Sequence, residues 1–225
     1  MFSKIFNNNP PLLSKKGKEL IKLYEKMITE GYFKKVNDKI VKIKKDKGFE
    51  QFLIRKHRHE ILNILSSFEI SSLLDYGSGG CDWEENGFHN QLSAKKFFNL
   101  DEVVTFEPSR KKNFIKKLDC VISFDVLEHV YINDLKKVIS TIYKNAKKLV
   151  IIRVATTEAG ALLPNGENAH ITVRPPIWWK GYLDAISVDY PNITTYLYCD
   201  VASKTISTSW KNLSYDQKKE YKIDL

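Results

Sequence analysis

The residues of this chain best suited to chemistry are three acids, each at the end of an apolar run, and one glycine-rich turn. Leu73 and Leu74 lead into Asp75 and Tyr76, followed by Gly77, Ser78, Gly79 and Gly80. The run 103–106 (VVTF) leads into Glu107, Pro108 and Ser109, and the run 120–124 leads into Asp125 and the segment VLEHV. Glycines after a buried strand allow positive φ and let a ligand approach the main chain where a Cβ would block it. A carboxylate at the next strand end, Glu107, can accept two hydrogen bonds from the vicinal hydroxyls of a ribose.

A dinucleotide is the first ligand to weigh. Its G-x-G-x-x-G fingerprint opens a helix directly and sets the pyrophosphate on that helix's N-terminus. Here Gly77-x-Gly79 is followed by Gly80, Cys81 and Asp82, so the third glycine is missing and Asp82 would repel the phosphates. A phosphate-binding loop ending in Lys-Ser/Thr is absent as well. A ligand with a ribose and no phosphate suits the pattern better.

A second concentration of polar chemistry lies in LPNGENAHITVRPPIWW, residues 163–179. Asn165, Glu167, Asn168, His170 and Arg174 offer hydrogen-bonding groups, and Trp178 and Trp179 offer flat apolar surface. Long loops of this kind are as a rule either functional or disordered. His170 can take a proton from a substrate hydroxyl or amine, since an unperturbed imidazole titrates near neutrality, or it can pin the loop by a hydrogen bond. The same two roles are open to His129, and Glu128 beside it can bond a neighbouring loop. Of the two tryptophans, one is expected in the core and one on a pocket wall. No metal site is expected: Cys81, Cys120 and Cys199 are widely scattered and match neither a paired metal spacing nor a disulfide framework.

The elements that must position these groups follow from periodicity. Apolar residues Leu20, Ile21, Tyr24, Met27 and Ile28 recur at helical spacing, and Phe33, Val36, Ile40 and Ile43 continue the pattern after Gly31, predicting one or two helices over 15–47. A further helix is predicted over 49–67, a short one between 81 and 102, one over 132–146 with Asn133 as N-cap, and one from near Pro176. Apolar runs at 73–74, 103–106, 120–124 and 149–154 alternate with these helices, the pattern of a parallel sheet covered on both faces. Two β-rich runs, 193–201 and 204–210, predict a closing antiparallel hairpin. The expected fold class is therefore α/β: a doubly wound, mostly parallel, Rossmann-like sheet with a C-terminal hairpin. In such sheets ligands bind at the carboxyl ends of the strands, which places Asp75, Glu107 and Asp125 on one rim.

A chain of 225 residues, 43% hydrophobic, supports one sizeable core, read as a domain over 69–225 preceded by a basic helical extension over 1–68. The charge is uneven: residues 1–60 hold sixteen Lys and Arg against seven Asp and Glu, which accounts for the whole net charge of +9. Such a segment can gather nucleic acid or another polyanion, or be a solvated helix face filled with lysine. No apolar run is long enough to span a bilayer and the start lacks a signal-peptide core, so no membrane insertion and a cytoplasmic location are expected.

Over residues 73–154 the chain resembles the class I S-adenosylmethionine-dependent methyltransferases. LLDYGSGG is similar to that family's first motif, VVTFEPS to its second, and DCVISFDVLEHV to its strand-four motif. The resemblance implies that Asp75, Tyr76, Gly77, Ser78 and Gly79 hold the methionine part of the cofactor and that Glu107 and Pro108 hold the ribose. Asp125 and Val126 would line the methyl-donor side. Cys81 stands where many members have another glycine, and 107–120 leaves little room for the family's third strand, so either RKKNFIKKLD (110–119) contacts the adenine in abbreviated form or the adenine is left to apolar contacts such as Phe106 and Ile115. The block over 163–179 resembles one in a subgroup of small bacterial and phage methyltransferases. A DPPY-type tetrapeptide is absent, DVLE standing in its place, which argues against methylation of a base. The implied activity is methyl transfer to a small acceptor, most simply a hydroxyl of a sugar or related metabolite, with His170 and Asp125 catalytic. His129, Asn165, Asn168, His170, Arg174, Trp178 and Trp179 would bind substrate. The alternatives are RNA or protein methylation through the basic N-terminal helices, and a module that keeps the fold without turnover.

Overall fold

The computed structural model describes residues 10–37, 39–45, 53–201 and 204–212. The chain opens with α1 (Lys15–Glu30), whose Ser14 N-cap accepts from the Gly17 amide and whose buried side carries Leu20, Met27 and Ile28. It stops at Gly31, where φ is +84°. The helical spacing read across 33–43 is not helix. Those residues form an antiparallel hairpin, β1 (Tyr32–Val36) and β2 (Lys39–Ile43), with Val36 opposite Lys39 and Asn37 at φ +48°. A two-residue connection led by an Asn that accepts positive φ is a hairpin signal, and it prevails over an apolar spacing that two five-residue strands imitate. The helix expected over 49–67 is, where described, a 3-10 turn (Leu53–His57) running into α2 (Arg58–Ser67).

The architecture is α/β, with a six-stranded, mostly parallel sheet flanked by helices, compatible with a Rossmann-like fold. Its strands are β3 (Ser72–Tyr76), β4 (Glu102–Phe106), β5 (Leu118–Phe124), β6 (Ala146–Ala155), β8 (Thr194–Val201) and β9 (Lys204–Lys211). The short helix α3 (Ala94–Phe97) follows β3, α4 (Ile132–Lys144) follows β5, and α5 (Pro176–Ser187) precedes β8. Between β6 and α5 the predicted loop contains a two-residue strand, β7 (Ala161–Leu162), that pairs with β1. The order is β4-β3-β5-β6-β8-β9; only β9 is antiparallel, forming the expected hairpin with β8.

Alternation along the strands sorts the core into two layers. Leu74, Val121, Val150, Ile152 and Leu197 pack against Leu135, Val138, Ile142 of α4 and Trp179, Leu183 of α5. Leu73, Cys120, Ile122, Leu149 and Ile151 pack on the other face against Ile61, Ile64 and Leu65 of α2 and against Trp83, Phe88 and Phe98. From β3 the chain steps one way to β4 and then back past β3 to β5 and β6, so the strand order reverses beside β3 and β5. That is where a crevice opens in such a sheet. Among the described residues no strand forms between β4 and β5, and no helix is long and apolar enough to cross a membrane.

Asn133 is not the N-cap of α4. Tyr131 holds that position without a side-chain capping bond, and Asp134 in the first turn is fully buried. Its carboxylate accepts from the Ser14 amide (2.8 Å) and from Ser14 Oγ (2.7 Å), which seats the start of α1 on the start of α4. The basic N-terminal segment thus lies over the carboxyl ends of the sheet, its lysines 15, 16, 18, 22 and 26 turned to solvent.

Candidate functional site

A cleft of about 790 Å³ opens over the carboxyl ends of β3, β4 and β5, with Leu20, Ile21 and Tyr24 of α1 as its roof. Asp75, Tyr76, Gly77, Ser78, Gly79, Glu107, Pro108, Asp125, Val126, His129 and His170 all line it. Gly77 and Gly79 have φ of +86° and +55°, and the Gly77 and Ser78 amides both donate to the Phe106 carbonyl, which hooks the turn onto the end of β4. A Cβ at Gly77 would lie 2.2 Å from Val126 Cγ2, so this glycine is needed for packing as much as for ligand approach. Ser78 Oγ is buried and has no hydrogen-bond partner among the described residues.

The Glu107 carboxylate accepts from the Gly79 amide (3.0 Å), the Ser109 amide (3.1 Å) and Ser109 Oγ (2.5 Å), so it ties the glycine turn to its own strand end. A carboxylate offers about four acceptor positions, which leaves room for a further donor. Asp75 accepts from Trp83 Nε1 at 2.8 Å inside the β3 end. Burial pushes its carboxyl up to about 7, against the pull of the Trp83 bond and with the Glu107 charge adding to the rise. Burial likewise raises the Cys81 thiol to about 12, so it is no ready thiolate.

Asp125 takes the left-handed region at φ +53°, its amide donating to the Arg153 carbonyl. Its carboxylate pairs with Arg153, whose other guanidinium nitrogen pairs with Asp200 at the end of β8. Desolvation raises Asp125 above the ordinary carboxylate range, partly opposed by the guanidinium. Arg153 and Asp200 were not legible as site residues, since Arg153 stands inside the apolar run LVIIRVA. The signal was there: a cation in a doubly covered strand requires carboxylates at its tip.

Beside this triad sit Glu128, His129 and His170. Glu128 is fully buried; Oε1 accepts from the Ala155 amide at 2.7 Å, and among the described residues Oε2 has no partner. Burial, with Asp125 adding, holds its carboxyl well above the usual range. His129 Nδ1 lies 2.8 Å from the Ala169 carbonyl and 2.6 Å from Tyr24 Oη, and Tyr24 also donates to that carbonyl. Desolvation foremost, and then His170, lowers the His129 pKa to about 3, which keeps the ring neutral. His170 Nδ1 is 2.5 Å from the Thr157 carbonyl. The two rings meet edge to face, 4.7 Å apart. Tyr24, supplied by the N-terminal helix, is a further site residue that periodicity marked only as part of an apolar face.

The remaining substrate candidates lie elsewhere. Asn165 is exposed and, among the described residues, its side chain bonds within its turn, to Glu167. Asn168 braces the loop by bonds to Ala159 N and O and to the His170 amide, holding His170 at the rim. After Thr172, whose amide and hydroxyl bond the Glu128 and Val130 carbonyls, the chain leaves the rim for the sheet face. Arg174 is exposed over the Trp178 ring, Trp178 stacks on Tyr182, and Trp179 is wholly in the core. Neither tryptophan forms a wall of the cleft, because α5 packs beside α4 under the sheet and not at its tip. Comparison of the chain with family models, with curated proteins and with solved structures finds no match, so the functional reading rests on the site itself.

Proposed function

We propose that this chain is an S-adenosylmethionine-dependent methyltransferase acting on a hydroxyl of a small acceptor such as a sugar or related metabolite. The observation that carries the reading is the glycine turn joined to the Glu107 carboxylate at the point where strand order reverses. The residues present fit the cofactor. Asp75, Tyr76, Gly77, Ser78 and Gly79 would hold the methionine part, and the unpartnered Ser78 Oγ is a hydroxyl that such a ligand would satisfy. Glu107, next to Pro108, would take the ribose diol with its remaining acceptor position and by exchange with the rotatable Ser109 hydroxyl. Asp125 and Val126 would flank the methyl-donor side.

The bound cofactor would supply an electrophilic methyl group on a sulfonium. The chain's own work would be positioning and exclusion of water: α1 roofs the cleft, held by Ser14 on Asp134 and by Tyr24 on the Ala169 carbonyl. Fixing two reactants in one cavity supplies much of the acceleration in a bimolecular transfer. His170, its Nδ1–H turned to the Thr157 carbonyl, would present Nε2 as the base for an acceptor hydroxyl.

A second reading, methylation of RNA or protein, is favoured by one feature. The β1–β2 hairpin exposes Phe33, Val36, Ile40 and Val41 among Lys34, Lys35, Lys39 and Lys42, and Lys34 reaches the cleft. Aromatic and basic groups together suit a polyanion, and affinity for RNA that falls steeply with salt and is lost in a Lys34→Glu, Lys35→Glu double variant would promote this reading. The primary test is calorimetry with S-adenosylhomocysteine. Binding in the wild type that weakens at least about tenfold in a folded Glu107→Ala variant, the loss of a hydrogen bond to a charged acceptor, is expected. A wild type that takes up none sinks the proposal.

A further inference from the structure

We infer that Glu128, His129 and His170 form a binding site for a first-row divalent cation at the edge of the cleft. A ring nitrogen from each histidine and a carboxylate oxygen of Glu128 lie within 4.8 Å of one another. The tautomers decide which atoms are available. We assign the proton of His129 to Nδ1, so that it (2.8 Å) and Tyr24 Oη (3.1 Å) both donate to the Ala169 carbonyl, which can only accept, with Nδ1 also 2.6 Å from Tyr24 Oη. The Thr157 carbonyl fixes His170 in the same way, Nδ1–H donating at 2.5 Å. Both rings therefore present Nε2 with its lone pair uncommitted. An imidazole whose other nitrogen is tied to a backbone carbonyl is oriented as metal-binding histidines are.

Glu128 supplies the independent observation. It is wholly buried, with Oε1 used by the Ala155 amide and Oε2 unpartnered among the described residues, in a protein interior where an unserved carboxyl oxygen is costly. A cation shared with the two imidazoles would serve it, releasing the carboxyl's proton. Two imidazoles and one carboxylate are a donor set for Mn²⁺, Fe²⁺, Co²⁺ or Zn²⁺ in place of Ca²⁺ or Mg²⁺, and three protein ligands leave coordination positions for a ligand from the cleft that His129 and His170 line. Use of the site rests on the methyl-transfer reading and would replace the role of His170 as base: with its Nε2 lone pair on the cation, an acceptor oxygen bound to the ion would lose its proton more readily, to water. The site itself does not.

Cobalt titration of the full chain, without any cofactor, tests the site. One Co²⁺ per chain with visible ligand-field absorption, displaced by Zn²⁺, is expected. Glu128→Gln keeps the acceptor for the Ala155 amide, and His170→Ala removes a partly exposed ring, so both variants should fold, which thermal melting checks. Each should weaken Co²⁺ at least about tenfold, the scale on which even supporting residues of metal sites act. Absence of stoichiometric Co²⁺ in the wild type, or wild-type affinity in both variants, overturns the assignment. So does binding lost instead in His89→Ala, which would put the ion at the surface pair His59 and His89. S-adenosylhomocysteine binding measured on the same samples separates this outcome from failure of the methyltransferase reading.

Discussion

At the scale of residues, the site is a set of acids whose environments differ. Glu107 is surrounded by amide and hydroxyl donors, Asp125 has a guanidinium, and Asp75 is buried with the Trp83 indole N–H as a donor. Burial raises Asp75 from 3.8 to about 7. Between those values the folded chain binds a proton that the unfolded chain does not, so the contribution of Asp75 to stability falls as pH rises through the window. Asp75→Asn keeps an acceptor for Trp83 and removes the titration. Urea unfolding of both proteins should show the variant gaining on the wild type steadily from about pH 4 to about pH 7; parallel curves would contradict the shift. At this scale the sequence was informative where a residue type stands in a motif, as with Asp75, Glu107 and Asp125. It was silent where the role comes from a distant partner. Nothing near Tyr24 or Arg153 in the chain announces His129 or Asp200, since such pairs are formed only by packing.

At the scale of elements, period and punctuation carry unequal weight. The strands were legible because a doubly covered strand is nearly all apolar and ends abruptly in polar rim residues, as β3 and β5 do. The segment after Gly31 was misread because its apolar spacing matches a helix over too few residues, and the Asn37 turn decides the matter locally. α1 itself has a specific fastening. Ser14 caps the helix and also donates from both N and Oγ to the buried Asp134, and a Cβ at Gly17 would lie 2.3 Å from Asp134 Oδ2. Ser14→Ala removes the cap and one bond to a buried carboxylate, so chemical denaturation should report a loss of about 1–3 kcal/mol. A loss below about 0.5 kcal/mol, within the range of an ordinary surface substitution, would mean that α1 is not held at this point.

At the scale of the whole molecule, the sequence suggests a basic arm followed by a domain, whereas the structure uses that arm as part of the cleft. Three kinds of contact join them: the apolar group of Leu20 and Met27 with Leu163 and Ala169, the strand pairing of Phe33 with Leu162 and Lys34 with Ala161, and the polar links of Ser14 and Tyr24. Fully burying a large apolar side chain contributes roughly 1.5–3 kcal/mol, so Leu20 and Met27 with these pairings form an interface of the kind that persists without a covalent link. A protease site placed between Lys45 and Leu53 tests this on the intact fold. After cleavage the N-terminal piece should co-elute with the rest on size exclusion under native conditions and separate only in denaturant. Dissociation in native buffer would mean that the basic segment is a separable docking arm, would leave the cleft without its roof, and would shift the balance toward a polymeric acceptor.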